Sequence, residues 1–313
     1  MDIESVCIFG GCGFVGRSVA EAAATRGLRV RVVTRSPMRA RSLLVLPTLE
    51  AVAADPNDAA ALARVLDNMD AAVNLVGILH EGGHATFRSA HVELPRKIAE
   101  ACRAAGVRHL VHMSALGASR DAPSEYLRSK AEGEESARSS GVACTVFRPS
   151  VMFGEHDRFL NFFATLLRYF PVIPLAAARA RFQPIWVEDV ARAIVAGIGD
   201  KRAFGEAYAL CGPRVYTLAE LVRAVGAIIG HRRPVVGLPG PAAQLQALVL
   251  EHLPGRKMTR DNLRSMRVDN VCPDGFPAIF GFEPSPLEAI VPQYLARAGL
   301  RDRYDKYRHY AGR

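Results

Sequence analysis

Long apolar runs are missing from this sequence. No window reaches the ~18 uninterrupted apolar residues that a bilayer-spanning helix needs. The greasiest stretch, FLNFFATLLRYFPVIPLAAARA, is broken by Arg168, two prolines and Arg179, so no transmembrane segment is expected. Paired cysteine motifs are missing too. Cys7, Cys12, Cys102, Cys144, Cys211 and Cys272 are scattered, with no C-x-x-C and no spacing suited to a metal knuckle. They read as reduced thiols, small and buried, in a cytoplasmic protein. The N-terminus, MDIESVCIFGG, enters an apolar run at once and leaves no room for a leader peptide, so secretion is not expected. Internal repeats, low-complexity tracts and long linkers are absent. A chain of 313 residues, half of them apolar, can bury a substantial core, which excludes the disordered, collagenous and disulfide-stapled classes.

The net charge is +9 and concentrates in the tail RDRYDKYRHYAGR at 301–313. This tail suits an anionic partner such as lipid headgroups or an acidic protein surface, or else forms a solvated terminal helix. Beyond charge, nothing points to nucleic acid.

What the chain has is alternation. β-rich runs at Ser5–Phe9, Arg29–Thr34, Leu49–Ala53, Ala71–Leu75, Leu110–Met113 and Ala143–Phe147 are separated mostly by helical patterns at Gly16–Arg26, Asp58–Asn68, Val92–Ala105 and Ser124–Ser139. Gly27, Gly106 and Gly141 stand where helix C-caps are expected. Strands separated by helices need crossover connections, and right-handed crossovers fold them into a doubly wound parallel α/β sheet. Residues 1–150 read as one domain on this pattern. Residues 151–313 read as mostly a smaller, substrate-side subdomain, with 206–212 returning as a strand of the sheet. Further helices are expected at Leu218–Ile229 and Pro241–His252.

The stretch Gly10-Gly11-Cys12-Gly13-Phe14-Val15-Gly16 follows the first strand and opens the first helix. It satisfies both G-x-G-x-x-G and G-x-x-G-x-x-G. One glycine permits the turn, one lets backbone approach a pyrophosphate, and the last lets helix and strand pack closely. The expected fold is therefore of Rossmann type with a bound dinucleotide. Where an NAD site places an acid at the end of the second strand, VVTRSPMRAR puts Arg35. A guanidinium binds a 2'-phosphate that a carboxylate would repel, so NADP(H) is preferred, with NAD(H) possible. Arg39 and Arg41 either assist or are solvated charges. Asp55 either accepts from an adenine amino group or forms a turn with Pro56. Val76 and Gly77, read as ending the fourth strand, would pass under the adenosine ribose.

Tyr126-Leu-Arg-Ser-Lys130 puts a phenol and an ammonium on one helix face. The lysine is expected to lower the phenol's pKa toward a value useful for proton transfer, and to hold the nicotinamide ribose. His80-Glu-Gly-Gly-His84 matches the zincin H-E-x-x-H, but its paired glycines disfavour the required helix, so it reads as a loop and no metal site is expected.

Together GGCGFVG, YLRSKAEGE, FRPSVMFGEHDRFLNFF, FQPIWVEDVARA and LPGPAAQLQALVLEHLPGRKMTRDNL resemble the atypical extended short-chain dehydrogenase/reductases. More narrowly, they resemble bacterial relatives of subunit nine of the alpha subcomplex of mitochondrial NADH:ubiquinone oxidoreductase, over about residues 4–295. The resemblance implies a Rossmann domain with NADPH at Gly10, Gly13, Phe14, Val15, Gly16, Arg35, Asp55, Tyr126 and Lys130. Ser114 falls near the ribose, and Arg148-Pro149 borders the nicotinamide. Catalytic relatives place their Ser or Thr much further ahead of the Tyr than Ser114 or Ser119 stands here. Two functions follow from the resemblance. One is an NADP(H)-binding accessory of respiratory complex I or quinone-linked metabolism. It would have a membrane-associated partner and lie peripherally on the inner face of the cytoplasmic membrane. The other is an active NADPH-dependent reductase or nucleotide-sugar epimerase using Tyr126 and Lys130. A plain nucleotide-binding sensor is a third. The apolar stretch Phe159–Pro174 serves as a subdomain core, a dimer face, or a contact for lipid or quinone.

Overall fold

A computed structural model describes residues 2–83, 85–252 and 258–296. The basic tail at 301–313 and His84 lie outside the described residues. The chain divides into two compact units. The first takes Met1–Pro149, Val187–Leu210 and Asp274–Phe282, and the second takes Ser150–Trp186, Cys211–Pro273 and Glu283–Arg313.

The first unit is built on a parallel sheet. Its strands are β1 (Ser5–Phe9), β2 (Arg29–Thr34), β3 (Leu49–Ala53), β4 (Ala71–Asn74), β5 (His109–Met113), β6 (Cys144–Pro149) and a last strand at Ala207–Leu210. The order across the sheet is Ala207–Leu210, β6, β5, β4, β1, β2, β3, with every pairing parallel. The order reverses direction at β1 and β4, the switch point outside whose carboxyl ends doubly wound folds bind their ligands. Four helices connect the early strands: α1 (Phe14–Thr25), α2 (Ala59–Leu66), α3 (Leu94–Ala104) and α4 (Glu125–Arg138).

β1 is buried along its whole length, as a central parallel strand must be. Cys7 and Phe9 join a core with Leu62, Leu66, Ile98 and Cys102 of α2 and α3. The alternate residues Val6 and Ile8 are buried on the opposite face, where α1 packs against the helix Val187–Gly197. Ser18 Oγ of α1 donates to Glu188 Oε1 of that helix at 2.7 Å, and the Arg26 guanidinium donates to the Val195 carbonyl. Gly27, Gly106 and Gly141 follow α1, α3 and α4 with φ of +85°, +70° and +83°, the left-handed caps that stop each helix.

The second unit packs the helices Leu160–Tyr169 and Leu218–Ile228 around Phe163, Leu167, Leu221 and Val225. Thr217 and Glu220 start the latter helix with a reciprocal capping box. Two-stranded pairings at Ile173–Leu175 with Val235–Gly237, and at Arg181–Phe182 with Tyr216–Thr217, brace this core. One expectation is overturned here. Cys211 and Cys272 are not reduced thiols but form a disulfide, with Cα atoms 6.1 Å apart. They are 61 positions apart in sequence, and Gln183 brings their segments together. Its side chain donates to the Gly212 carbonyl at 2.7 Å and accepts from the Cys272 N–H at 2.9 Å. Among the described residues, no helix is long and apolar enough to cross a membrane.

Candidate functional site

The sheet brings most of the singled-out residues to the carboxyl ends of its strands. The chain leaves β1 at Phe9 and turns at Gly10, whose φ is +81°, and the Gly13 N–H closes the turn on the Gly10 carbonyl at 2.9 Å. A Cβ on Gly16 would sit 2.2 Å from that same carbonyl oxygen, so only glycine lets α1 approach the loop this closely. Gly13 is the N-cap of α1 in extended backbone. No side chain caps it, and no acid stands in the first turn, which contains Phe14, Val15 and Gly16. A 12-residue helix with an uncapped, acid-free N-terminus presents N–H donors and about half a positive charge to an anion.

Arg35 follows β2 directly and is exposed. Asp55 follows β3, and its Oδ1 accepts from the backbone N–H of Asn57 at 3.0 Å and from its side chain at 3.1 Å. These hydrogen bonds hold the carboxyl below the usual range, with the Arg35 charge adding a smaller effect. Of the two readings for Asp55, the turn is the one seen, closed on Asn57, while Asp58 caps α2. Arg17, which sequence reasoning passed over, ties the two loops together. Its guanidinium donates to Ser42 Oγ at 2.8 Å, to the Arg39 carbonyl at 3.4 Å and to the Cys12 carbonyl at 3.4 Å. The position immediately after the last motif glycine was the available signal.

The third group lies beyond β4 and β5. β4 stops at Asn74, short of Val76 and Gly77, because the Asn74 side chain takes the Val76 N–H at 3.1 Å and bends the chain out of the ladder. Lys130 of α4 is only 4% exposed and donates to the Met113 carbonyl at 3.1 Å. A Cβ on Gly77 would lie 3.1 Å from Lys130 Nζ and 3.5 Å from His91 Nε2, so the missing side chain makes room for both. Burial lowers Lys130 to about 8.

Two histidines face this ammonium. His91 sits in a π-turn, Ser89–Glu93, with Nε2 accepting from the Ile78 N–H at 3.0 Å and Nδ1 paired with Ser129 Oγ at 2.9 Å. His112 of β5 pairs Nδ1 with Asn74 Nδ2 at 3.3 Å. Burial and then the Lys130 charge push both down, to about 2 and about 3, so both are neutral. His112 Nε2 and Ser114 Oγ are buried with no hydrogen-bond partner among the described residues. His91 and Asn74 carried no motif, and Ser129, though it stands inside the Tyr126–Lys130 stretch, was given no role by that spacing.

Tyr126 keeps part of its surface exposed, yet it packs among Phe87, His91 and Ala115. Burial raises its phenol to about 12. This is opposite to the direction that the Y-x-x-x-K spacing implies, and its cause is desolvation of the phenolate. Arg148 is paired with Glu134 of α4 at 2.9 and 2.5 Å, while Pro149 closes β6 and accepts from the Leu116 N–H at 3.0 Å. In the zincin-like stretch, Glu81 accepts from the Phe87 N–H at 2.7 Å and Gly82 bridges to Ala85, so it is a loop.

Three features fit a nicotinamide dinucleotide. The glycine loop is a cradle that side chains would fill, the α1 terminus suits phosphate, and two buried polar atoms at the end of β5, His112 Nε2 and Ser114 Oγ, lack partners among the described residues. The family described as NAD(P)H-binding matches residues 10–159. Subunit 9 of the NADH dehydrogenase [ubiquinone] 1 alpha subcomplex of Mus musculus is 32% identical over 303 residues, covering 93% of this chain and 79% of that one. A ceramide reductase of Caulobacter vibrioides is 30% identical over 250 residues, covering 75% and 74%. Among solved structures, an NADPH-dependent quinone oxidoreductase of Escherichia coli in complex with NADPH superposes with a TM-score of 0.74 at 20% identity, over 93% of this chain and 99% of that one.

Proposed function

We propose a role that starts from one fact: the chain belongs to the NAD(P)H-binding, atypical short-chain dehydrogenase/reductase family that includes subunit 9 of the mitochondrial NADH dehydrogenase alpha subcomplex. It binds a nicotinamide dinucleotide. On our reading that dinucleotide is NADP(H), held tightly as a structural group, and the protein is an accessory of respiratory or quinone-linked machinery at the inner face of the cytoplasmic membrane. The observation that carries this reading is the match along most of the chain to the subunit 9 relative. Beside it, the Lys130 ammonium is already engaged by the Met113 carbonyl.

Gly10, Gly13, Phe14, Val15 and Gly16 would hold the pyrophosphate, and Arg35, with Arg17 behind the loop, the 2'-phosphate. Val76 and Gly77 would pass under the adenosine ribose, with Asp55 beside the adenine. Lys130, Ser114 and Pro149 would border the nicotinamide riboside. Bound NADPH supplies a hydride, but a ligand held far above its dissociation constant also adds several kcal/mol of stability without reacting.

The second reading, an active NADPH-dependent reductase or epimerase, is favoured by the presence of both Tyr126 and Lys130 on α4 and by the reductase among the relatives. Purification without added nucleotide separates the two. The structural reading expects NADPH to co-purify and to survive incubation with quinones, ketones, aldehydes and nucleotide sugars. Rapid oxidation that Tyr126→Phe abolishes would establish the second.

A further inference from the structure

Of the two buried histidines that face the Lys130 ammonium, only one has a ring nitrogen to spare. His91 uses both, Nε2 on the Ile78 N–H and Nδ1 on Ser129 Oγ. His112, which is 1% exposed, uses Nδ1 alone, on Asn74.

Asn74 decides the tautomer of that ring. Its Oδ1 accepts the Val76 N–H at 3.1 Å, which leaves Nδ2, a group that can only donate, facing His112 Nδ1 at 3.3 Å. Nδ1 therefore accepts, and the one N–H of the neutral imidazole stands on Nε2. This N–H has no acceptor among the described residues. A buried donor without an acceptor is costly, so a native protein keeps one where a ligand or a water completes it.

The neighbouring groups are donors as well. The Ser114 N–H extends the ladder of β5 to the Phe147 carbonyl at 2.8 Å, so Ser114 and His112 alternate with Met113 and their side chains leave the same face of the sheet. Ser114 is 3% exposed, and its hydroxyl too has no partner among the described residues. Met113, between them, holds Lys130 Nζ on its carbonyl, a contact that uses one of the three ammonium protons. Three donor groups thus stand within one residue of one another at the carboxyl end of β5, and what they can take is an acceptor oxygen. The glycine loop and α1 suit the pyrophosphate of a dinucleotide, and Arg35 and Asp55 follow β2 and β3 on the adenosine side. The nicotinamide riboside is what remains for the β5 end, and it carries acceptor oxygens in its ribose hydroxyls and its carboxamide.

We propose that His112 is a dinucleotide-binding residue, held by Asn74 in the tautomer whose Nε2–H donates, beside Ser114 and Lys130, to an oxygen of the nicotinamide riboside. The proposal rests on the dinucleotide binding stated above, and not on which dinucleotide is preferred or whether it turns over.

The test sets each dinucleotide against its own adenine-side fragment on the full chain freed of nucleotide, NADPH against adenosine 2',5'-bisphosphate and NADH against ADP. His112→Leu is expected to weaken the dinucleotide about tenfold while the fragment changes by less than about twofold. His112→Gln, whose amide places an N–H near the position of Nε2, is expected to restore most of that loss. Proton–nitrogen NMR of the wild type, with the ring signals traced from the His112 backbone, provides a second route if His112→Leu does not fold. It is expected to show the Nε2–H tautomer, with an Nε2 proton whose exchange with water slows at least about tenfold when the dinucleotide binds and not when the fragment binds. Equal losses for dinucleotide and fragment, or a glutamine variant no better than the leucine variant, would overturn the proposal. So would the Nδ1–H tautomer, or an Nε2 proton equally protected without nucleotide, as a buried water would leave it. A wild type that binds neither dinucleotide would overturn the dinucleotide reading together with the proposal, and it is seen before any variant is made.

Discussion

Arg35 and Lys130 are the two cations on which the nucleotide account turns at the scale of single residues. Arg35 is exposed immediately after β2, where its guanidinium is available to a 2'-phosphate. Arg35→Asp is expected to weaken NADPH binding by about 10- to 100-fold, the loss of a charge-assisted hydrogen bond of about 1.5–3 kcal/mol, and to leave NADH binding little changed. Fluorescence titration with both nucleotides checks this. Lys130 falls from 10.5 to about 8 on burial. Above about pH 8 the folded protein therefore loses an ammonium that an anionic ligand favours. Dinucleotide affinity is expected to decline as pH rises through that value, and Lys130→Met should remove that decline. The place of Arg35 was legible in the sequence because it depends only on where the second strand ends. The protonation of Tyr126 was not, since spacing along a helix says which side chains share a face but not how much water reaches them. Asp55 could be read two ways for a related reason: Asp-Pro-Asn-Asp encodes a turn whether or not a ligand is near.

Among the elements, α4 depends on a close approach that no motif records. A Cβ on Gly133 would fall 1.7 Å from the carbonyl oxygen of His91 in the π-turn, with backbone rather than a flexible side chain in the way. Gly133→Ala must push α4 from that turn and break the pairing of His91 with Ser129. We expect a loss of at least about 3 kcal/mol, beyond ordinary overpacking, seen as a large fall in Tm or as insoluble protein. The strands β1 and β2 were readable to the residue because parallel strands inside a sheet are short β-branched or apolar runs closed by turns, and β3, an edge strand with only Leu49 buried, was readable from its short run between turns. The π-turn was not, because extra residues inside a helical run leave the apolar pattern almost unchanged. The disulfide was missed because Cys211 and Cys272 are paired by Gln183 from a third segment, a juxtaposition with no local signature.

At the scale of the whole molecule, buried neutral histidines set an acid limit on stability. His91, His109 and His112 are pushed by burial from 6.5 to about 2, about 4 and about 3. The unfolded chain then binds protons below pH 6.5 that the folded chain refuses. Stability is fully present above pH 6.5 and is lost as pH falls, by roughly 1.4 kcal/mol per pH unit for each histidine once well below that value. Denaturant midpoints should drop steadily between pH 6.5 and pH 5, and a flat profile would contradict the burial of these rings. The sequence could not indicate this, since it shows where histidines occur and not which of them a sheet encloses. It did indicate the architecture that holds the nucleotide, because alternation and the glycine loop are both local. The central claim is that the bound NADP(H) is kept and not consumed. The most direct measurement follows the near-ultraviolet absorbance of NADPH co-purified with the chain, in the presence of quinone and carbonyl acceptors, for the wild type and Tyr126→Phe. The account predicts a signal that persists equally in both, with slow exchange against free nucleotide. Rapid oxidation in the wild type that disappears in the variant would contradict it.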